Sequence, residues 1–385
     1  MIPYSRQSIN NSDLKSVTKV LKSNFLTQGS KVSEFENKIS KYVNSRYAVA
    51  VNSATSALHL ACLAVGLKKG DWLWTSPNSF VASSNCGLYC NAKVDFIDIS
   101  LDTYNICVDK LEKKLIIAKK LGRLPKVIIP VHFAGLPCDV KKIRKLSKKY
   151  NFKIIEDASH ALGAKTRFNK VGDCKFSDIT VFSFHPVKMI TTAEGGVATT
   201  NNKFYADKMS MLRTHGIKHQ NLKNKKKNKP WYFEQIYLGL NYRMNDIEAA
   251  LGISQLKRLN KFIQKRNMIS KIYNKKLKDL PLILPLVFKL NFHTFHLYVI
   301  RVDTKKTDMT QKKLYKYLIK NKIKANVHYI PIYTHPFYRK LGFKAKNYPN
   351  TNKYYNTALS IPVFPDLKKN NQMRIIKLLF KFFHG

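Results

Sequence analysis

A chain of 385 residues, 44% of them hydrophobic, can build one large and one smaller domain around a full-sized core, which excludes a wholly disordered protein. Its 69 lysines and arginines outnumber its 23 acidic residues and give a formal net charge of +46. Residues 1–6 contain no apolar signal segment, and the most apolar short run, 282–288, is too short to span a bilayer. We therefore expect a cytoplasmic protein without membrane contact.

A charge of this size would usually suggest nucleic-acid binding. The lysines, however, are spread over nearly every segment together with many Asn, Ile, Tyr and Phe residues, so they do not define one basic face. The densest run, KNKKKNK at 223–229, is interpreted as a solvated loop and as a candidate for steering an anionic substrate. Nucleic acid is consequently not expected as a partner.

The six cysteines, at positions 62, 86, 90, 107, 138 and 174, include no CxxC pair. In a large cytosolic protein this distribution is typical of small buried side chains rather than of disulfides or zinc ligands. No cluster of ligand residues stands out in the sequence, and we expect no bound metal.

The first half of the chain alternates predicted helices and strands. Helices are expected at 12–22, 32–42, 57–66, from about 80, at 109–120 and at 139–150. Strands are expected at 47–51, 71–75, 93–97, 126–131, 153–156 and 179–184. This alternation indicates βαβ units and a mainly parallel sheet, with functional residues at the carboxyl ends of the strands.

The pattern changes after Asn241. The later elements predicted are one long helix at 245–277, an apolar strand at 295–302, a lysine-rich helix at 310–320 and a final helix at 368–382. We predict a large α/β domain over 1–250 and a smaller α+β domain over 251–385. An N-terminal arm, 1–12, is expected to pack on the smaller domain.

Three segments carry residue types suited to a reactive site. The first, NSATS at 52–56, lies between a predicted strand and a predicted helix. The unpaired backbone N–H groups of a helix start, together with the hydroxyls of Thr55 and Ser56, can hold a phosphate. Taken alone, this segment is better explained as an ordinary helix cap.

The second segment, IIEDASHALG at 154–163, ends an apolar strand with Asp157. A carboxylate there is poorly solvated unless a cation such as a protonated pyridine nitrogen pairs with it. A capping role for Asp157 is an equal alternative.

The third segment places Lys188 just past the strand in VFSFHPVK and before two glycines that allow close backbone approach. By position alone, Lys188 is one lysine among many.

Six ordered motifs, NSATSAL, TSPNSFVAS, EDASHALG, SFHPVK, TTAEGG and GLNYRMNDIEAALG, resemble the DegT-type nucleotide-sugar aminotransferases over nearly the whole chain. The resemblance implies the type I fold of pyridoxal-phosphate (PLP) enzymes and a homodimer with shared sites. It also implies that Lys188 is the Schiff-base lysine. Asp157 would pair with the ring nitrogen of the cofactor and keep the ring electron-withdrawing.

The same resemblance assigns further cofactor contacts. Phe80 would stack on the ring, and the phosphate would be held by Ala54, Thr55 and Ser183, with Asn241 reaching in from the second subunit. His160 stands where the family usually has glutamine, beside the cofactor's phenolic oxygen, to which an imidazole can also donate. A core aromatic and a turn residue are the alternatives for Phe80 and Asn241.

His160 and the TTAEGG motif are similar to a branch of the family that acts in pseudaminic acid biosynthesis. That branch aminates C4 of a UDP-linked 4-keto-6-deoxy sugar, and L-glutamate would be the amino donor. The positions that match its substrate contacts are Tyr4, Asn24, Phe25, Leu26, Thr27, Asn326, Val327, His328 and Tyr329. For His328 and Tyr329, a strand packed under the small domain is an equal alternative.

Other functions remain open from sequence alone. A lipid A aminoarabinose transaminase also has this histidine, and a nucleic-acid-binding or regulatory relative could retain the scaffold without turnover. Lysine at 188 argues against the sugar-dehydrating relatives, which have histidine there. The combination of Asp157, Ser183 and Lys188 favours an active transaminase.

Overall fold

A computed structural model of the chain describes residues 1–219, 231–288 and 291–385. The lysine-rich run predicted to be a loop, 223–229, lies outside these residues. The helices are α1 (Asn11–Leu21), α2 (Ser30–Val43), α3 (Ala54–Ala64), α4 (Ala82–Tyr89), α5 (Val108–Lys120), α6 (Val140–Tyr150), α7 (Lys203–Leu212), α8 (Asp246–Leu256), α9 (Leu259–Leu277), α10 (Gln311–Lys320), α11 (Pro336–Lys340), α12 (Pro349–Tyr355) and α13 (Lys369–His384). Within the described ranges, no helix is both long and apolar enough to cross a membrane.

The strands form one large sheet and two small ones. They are β1 (Tyr47–Val51), β2 (Trp72–Thr75), β3 (Lys93–Phe96), β4 (Val127–Ile129), β5 (Lys153–Asp157), β6 (Ile179–Ser183), β7 (Gly196–Thr200), β8 (Ile217–His219), β9 (Phe233–Gln235), β10 (Leu282–Ile283), β11 (Tyr298–Val302) and β12 (Ala358–Ile361). The large sheet has seven strands in the order β1-β7-β6-β5-β4-β2-β3. Strands β2 to β6 pair in parallel, and β7 runs antiparallel to both β6 and β1. The prediction of an α/β fold with a mainly parallel sheet is confirmed.

Helices cover both faces of this sheet, so the fold has three layers. Alternate residues of a strand point to opposite faces. Accordingly, Val127 and Ile129 of β4 pack in the core with α3 and α4, whereas Ile128 packs with α5 and α6. Helices α2, α8 and α9 cover the second face beside β6 and β7. Both faces are therefore buried, which is why β4, in the interior of the sheet, is apolar along its whole length.

A second core lies around the antiparallel sheet of β10, β11 and β12, which α9, α10 and α13 cover. The N-terminal arm reaches this core, because the backbone N–H and C=O of Ile2 bond to Lys322 and Lys324, each at 2.8 Å. Helix α8 spans position 250 and packs on α1 through a bond from the Ser16 hydroxyl to the Ala250 carbonyl, 2.9 Å. The division of the chain at residue 250 stays a prediction.

The long helix predicted at 245–277 is two helices, α8 and α9, that meet at Lys257 and Arg258. Neither proline nor glycine stands at the break. Instead, the guanidinium of Arg258 contacts the buried carboxylate of Asp13 and donates to the carbonyl of Ser8 at 3.1 Å. We attribute the break to these tertiary contacts, which the local helix pattern does not contain. The strand predicted at 295–302 begins later, at Tyr298.

Candidate active site

A cavity of about 540 Å³ opens where the carboxyl ends of β5 and β6 meet the start of α3. Functional residues of parallel α/β sheets collect at this edge. The predicted site residues that line the cavity are Tyr4, Ala54, Thr55, Phe80, Asp157, His160, Ser183, Lys188, Asn326, Val327, His328 and Tyr329. They come from both cores of the molecule, so the cavity lies between them.

Five of the predicted site residues do not line this cavity. They are Asn24, Phe25, Leu26, Thr27 and Asn241, and all of them are exposed in the single chain. The first four form the turn before α2, which is held by a bond from the Asp246 N–H to the Leu26 carbonyl, 2.9 Å. Asn241 forms an isolated bridge with Thr214. Within one chain, therefore, these residues are away from Lys188.

Lys188 lies in the loop between β6 and β7, and its backbone N–H donates to the His185 carbonyl at 2.9 Å. The loop folds back against the end of β6, since the Thr192 N–H donates to the Phe184 carbonyl at 3.0 Å. The side chain meets the cavity on one side and protein on the others. This burial lowers the pKa of the Lys188 amine to about 8, although the charge of Asp157 acts in the opposite direction. A neutral, nucleophilic amine is consequently accessible near neutral pH.

Asp157 ends β5 and is buried, with both carboxylate oxygens held by hydroxyl groups. Oδ2 accepts from the Ser83 hydroxyl at 2.7 Å. Oδ1 accepts from the hydroxyl and the N–H of Ser159, at 2.6 and 3.1 Å. A carboxylate has about four acceptor positions, so it can accept one more donor from the cavity. These bonds fix its direction and leave it able to pair with a protonated ring nitrogen.

The neighbouring carboxylate, Glu156, has a different environment because successive strand residues point to opposite faces. Its oxygens meet the His132 ring at 2.6 Å and the Thr180 hydroxyl at 3.0 Å, and it does not line the cavity. Of the two acids in the EDASHALG motif, Asp157 is therefore the one available to a bound ligand.

The start of α3 forms a cradle suited to a phosphate. Ser53 caps the helix, and its hydroxyl accepts from the Ser56 N–H at 3.1 Å. Ala54 and Thr55 follow at the first helical positions, and Ser183 at the end of β6 lines the same cavity. Gly196 lets β7 approach closely, because a Cβ there would lie 2.5 Å from the carbonyl carbon of Ser53. Unpaired N–H groups at such a helix start bind anions.

His160 uses both of its ring nitrogens within the protein. Nδ1 accepts from the Ala134 N–H at 3.3 Å, so Nε2 carries the proton and donates to the Tyr329 hydroxyl at 3.0 Å. Burial lowers the pKa of His160 well below its usual value, and it raises that of Tyr329. The Tyr329 oxygen accepts from His160, which leaves its own proton free to point into the cavity.

Other residues of the site escaped the sequence analysis. Ser79, Ser83, Ser159, Glu194 and His296 line the cavity or orient residues that do. Ser159 could have been found, since it lies two residues after Asp157. Ser79, Ser83 and Glu194 lie within the motifs TSPNSFVAS and TTAEGG, but nothing in the residue types assigned them a role. His296 lies in none of the six motifs.

The sequence profile of the DegT/DnrJ/EryC1/StrS aminotransferase family matches residues 7–380. The UDP-4-amino-4,6-dideoxy-N-acetyl-beta-L-altrosamine transaminase of Campylobacter jejuni is 39% identical over 381 residues, 99% of this chain and 97% of that protein.

Two solved structures are similar over nearly their whole length. Helicobacter pylori PseC, an aminotransferase of pseudaminic acid biosynthesis, superimposes with a TM-score of 0.89 at 32% identity, covering 99% of both chains. The putative sugar aminotransferase Spr1654 of Streptococcus pneumoniae, in its PLP form, has a TM-score of 0.88 at 28% identity. It covers 98% of this chain and 97% of that one.

Proposed function

Because the chain belongs to the DegT/DnrJ/EryC1/StrS aminotransferase family, we propose that it moves an amino group from L-glutamate to C4 of a UDP-linked 4-keto-6-deoxy sugar. Pyridoxal phosphate would be bound at Lys188. The observation that carries this proposal is the joint position of Lys188 and Asp157 in the wall of one cavity. Lys188 is a half-buried amine with a lowered pKa, and Asp157 is a buried carboxylate held in one direction.

The residues present fit pyridoxal phosphate. Lys188 would hold its aldehyde carbon, and Asp157 its protonated ring nitrogen. Ala54 and Thr55 at the start of α3, together with Ser183, would hold the phosphate, in the cradle that the absent side chain of Gly196 leaves open. Phe80 lines the cavity and remains 59% exposed, as an aromatic side chain without its stacking partner would be.

Pyridoxal phosphate, when bound, supplies a ring that withdraws electrons from the carbon that gains or loses a proton. With the coenzyme bound, the neutral amine of Lys188 would take the α-proton of glutamate as a general base and return it as a general acid. Water would supply the oxygen of the 2-oxoglutarate that leaves, and the amino group would stay at the site. With the keto sugar, Lys188 moves the proton in the reverse direction. The C4 oxygen would leave as water before that transfer, and a second water would then release the amine on C4.

The sugar would lie against the side of the cavity formed by Tyr4 and the segment 326–329. His328 is fixed there by bonds of its ring to the Ser360 hydroxyl, 2.9 Å, and to the Asn326 amide, 3.4 Å. A UDP-4-amino sugar and pseudaminic acid are named for the Campylobacter and Helicobacter relatives. These names support a UDP-linked sugar and the pseudaminic branch. A lipid A aminoarabinose-type sugar is the alternative substrate.

The active unit is proposed to be a homodimer with shared sites. Asn241 would reach the phosphate of the neighbouring subunit, and Asn24 to Thr27 would contact its sugar. The segment before Asn241 is unusually apolar for a surface, since Trp231 is 75% and Leu238 is 91% exposed. Exposed apolar side chains at this density favour contact with another protein surface. A second copy of the chain is the proposed partner, because its cavity is the one that Asn241 and Asn24 to Thr27 would then reach.

The test is an end-point assay of the purified protein with L-glutamate and a set of UDP-linked 4-keto sugars, read by mass spectrometry. We expect a product 1 Da heavier than the keto sugar (roughly, for exchange of oxygen for NH₂ and hydrogen at C4). The Lys188→Ala variant is the control. Formation of no amino sugar from any UDP- or aminoarabinose-type keto sugar, with pyridoxal phosphate bound, would contradict the proposal.

A further inference from the structure

His296 lies in the cavity wall, two residues before β11, and its role is not accounted for by the mechanism above. The residue is buried, with 2% of its surface exposed, and its ring centre lies 4.3 Å from that of His160. Neither ring nitrogen forms a hydrogen bond with any residue in the described part of the chain. Of the two, Nδ1 is completely inaccessible. Since the residue lines the cavity, Nε2 is the nitrogen left to face it.

The imidazole of His296 is neutral. Burial lowers its pKa well below the usual value, and the charges of nearby groups, Lys188 and Arg266 among them, act in the same direction. A neutral imidazole carries a proton on one nitrogen only, and the other nitrogen accepts. The position of this single proton decides whether His296 donates a hydrogen bond into the cavity or accepts one from it.

The surroundings of Nδ1 favour its unprotonated form. A buried N–H without a partner is rarer and costlier than an acceptor without one. Arg266 is fully buried beside the backbone of His296, and its Nη1 donates to the carbonyls of Phe295, His296 and Val363 at 3.3, 3.1 and 2.7 Å. Its Nε–H has no partner among the described residues. The positive charge of Arg266 acts on His296 and also disfavours a further proton beside it, so the proton of His296 belongs on Nε2, the nitrogen that faces the cavity.

We infer that His296 is a substrate-binding residue whose Nε2–H donates to an oxygen of the substrate inside the cavity. The inference rests on the proposed transaminase function. The acceptor is either a carboxylate oxygen of the amino donor or an oxygen of the sugar. A carboxylate needs such donors here, because no arginine lines the described cavity and Lys188 is its one lysine.

The test uses three variants of the full-length protein loaded with pyridoxal phosphate. His296→Gln keeps a donor near the position of Nε2, His296→Asn keeps one near Nδ1, and His296→Leu keeps neither. Thermal unfolding first establishes that each variant is folded. Calorimetry then measures binding of α-methyl-L-glutamate, which lacks the proton that Lys188 removes, and of UDP-N-acetylglucosamine, which lacks the ketone.

We expect His296→Gln to bind within about threefold of the wild type, and the Asn and Leu variants to bind one of the two ligands roughly tenfold or more weakly. The ligand affected identifies the acceptor. Equal affinities of the Gln and Asn variants, or no loss in any variant, would overturn the inference. Equal loss for both ligands in all three variants would also overturn it, since that result reports a distorted cavity.

The amination assay of the wild type separates failure of the proposed function from failure of this inference about His296. If the wild type aminates no keto sugar, the proposed reaction is wrong. The two binding measurements still decide whether His296 donates to a carboxylate or a sugar oxygen, because neither ligand has to react.

Discussion

The carboxylate of Asp157 lies 2.7 Å from the hydroxyl of Ser83, although 74 residues separate them in the chain. Ser83 belongs to α4, and its own hydroxyl also meets that of Ser79 at 2.7 Å. A short chain of hydroxyl groups therefore holds the carboxylate from the side of α4. Orientation of Asp157 is thus shared between a local residue, Ser159, and a distant one.

Removing this distant support should lower activity without unfolding the protein. We expect Ser83→Ala to reduce kcat about three- to tenfold, or about 0.7–1.4 kcal/mol. This is less than the full contribution of a hydrogen bond to a charged group, about 1.5–3 kcal/mol, because Ser159 still holds Asp157. Asp157→Asn should cost roughly a hundredfold or more, because an amide cannot neutralise a protonated ring nitrogen. Steady-state kinetics with saturating coenzyme measures both.

A matched control is Ser84→Ala, which removes the adjacent serine hydroxyl. That hydroxyl contacts Tyr338 at 2.5 Å and not Asp157. If Ser84→Ala lowers kcat as much as Ser83→Ala while both proteins keep the wild-type melting temperature, the hydroxyl chain has no special role in the site.

Lys188 should be the lysine that holds the coenzyme. Sodium borohydride reduces the linkage between an amine and an aldehyde carbon to a stable bond, so peptide mapping after reduction locates the lysine. We expect the label on the peptide that contains Lys188, and a yellow protein before reduction. Lys188→Arg keeps the positive charge and should show neither. A label on any of the other lysines would refute the assignment.

Stability without coenzyme should depend on pH through Lys188. The folded-state pKa is about 8, below the ordinary value of 10.5, so between these two pH values the unfolded chain binds more protons than the folded one. The penalty of burying a charged amine is full below pH 8 and disappears as the pH rises to 10.5. We expect it to be on the order of 1–3 kcal/mol, because water in the cavity screens part of it.

The measurement is urea unfolding of the coenzyme-free wild type and of Lys188→Met at (roughly) pH 7, 8, 9 and 10, a series that starts below the folded-state pKa and ends near the unfolded-state pKa. The methionine variant should be the more stable protein at pH 7, and its advantage should shrink toward pH 10. An advantage that is constant over this range would show that Lys188 titrates normally.

Shared sites predict complementation between two inactive variants. Lys188→Ala and Asn241→Ala subunits are mixed, unfolded and refolded together. Random pairing makes half of the dimers hybrids with one intact site each, so we expect about a quarter of wild-type activity. Each variant refolded alone serves as the control. Activity that stays at the level of the controls, while native mass spectrometry detects hybrids, would mean that Asn241 serves its own chain or none.

Local patterns alone did not single out Asp157 and Lys188, since a capping role and a chance lysine explained them as well, and the order of six motifs was needed to assign them. Local patterns did predict the mainly parallel sheet. The direction of β7 was not predictable in this way, since the loop from β6 to β7 is long enough for either orientation. The break between α8 and α9 depends on Arg258 contacting Asp13, 245 residues away. Ser83 and His296 were missed for the same reason, since distant contacts give them their roles.

The order of the central sheet has a consequence for how the protein folds. Strand β7 pairs with β1, from which it is more than a hundred residues away in the chain, and that pairing brings Gly196 to Ser53. The phosphate cradle thus exists only after this long-range closure, and such closures are slow. Coenzyme cannot act as a template for earlier steps and should leave the refolding rate unchanged. It should instead slow the loss of the closed sheet and raise the melting temperature in proportion to the logarithm of its concentration.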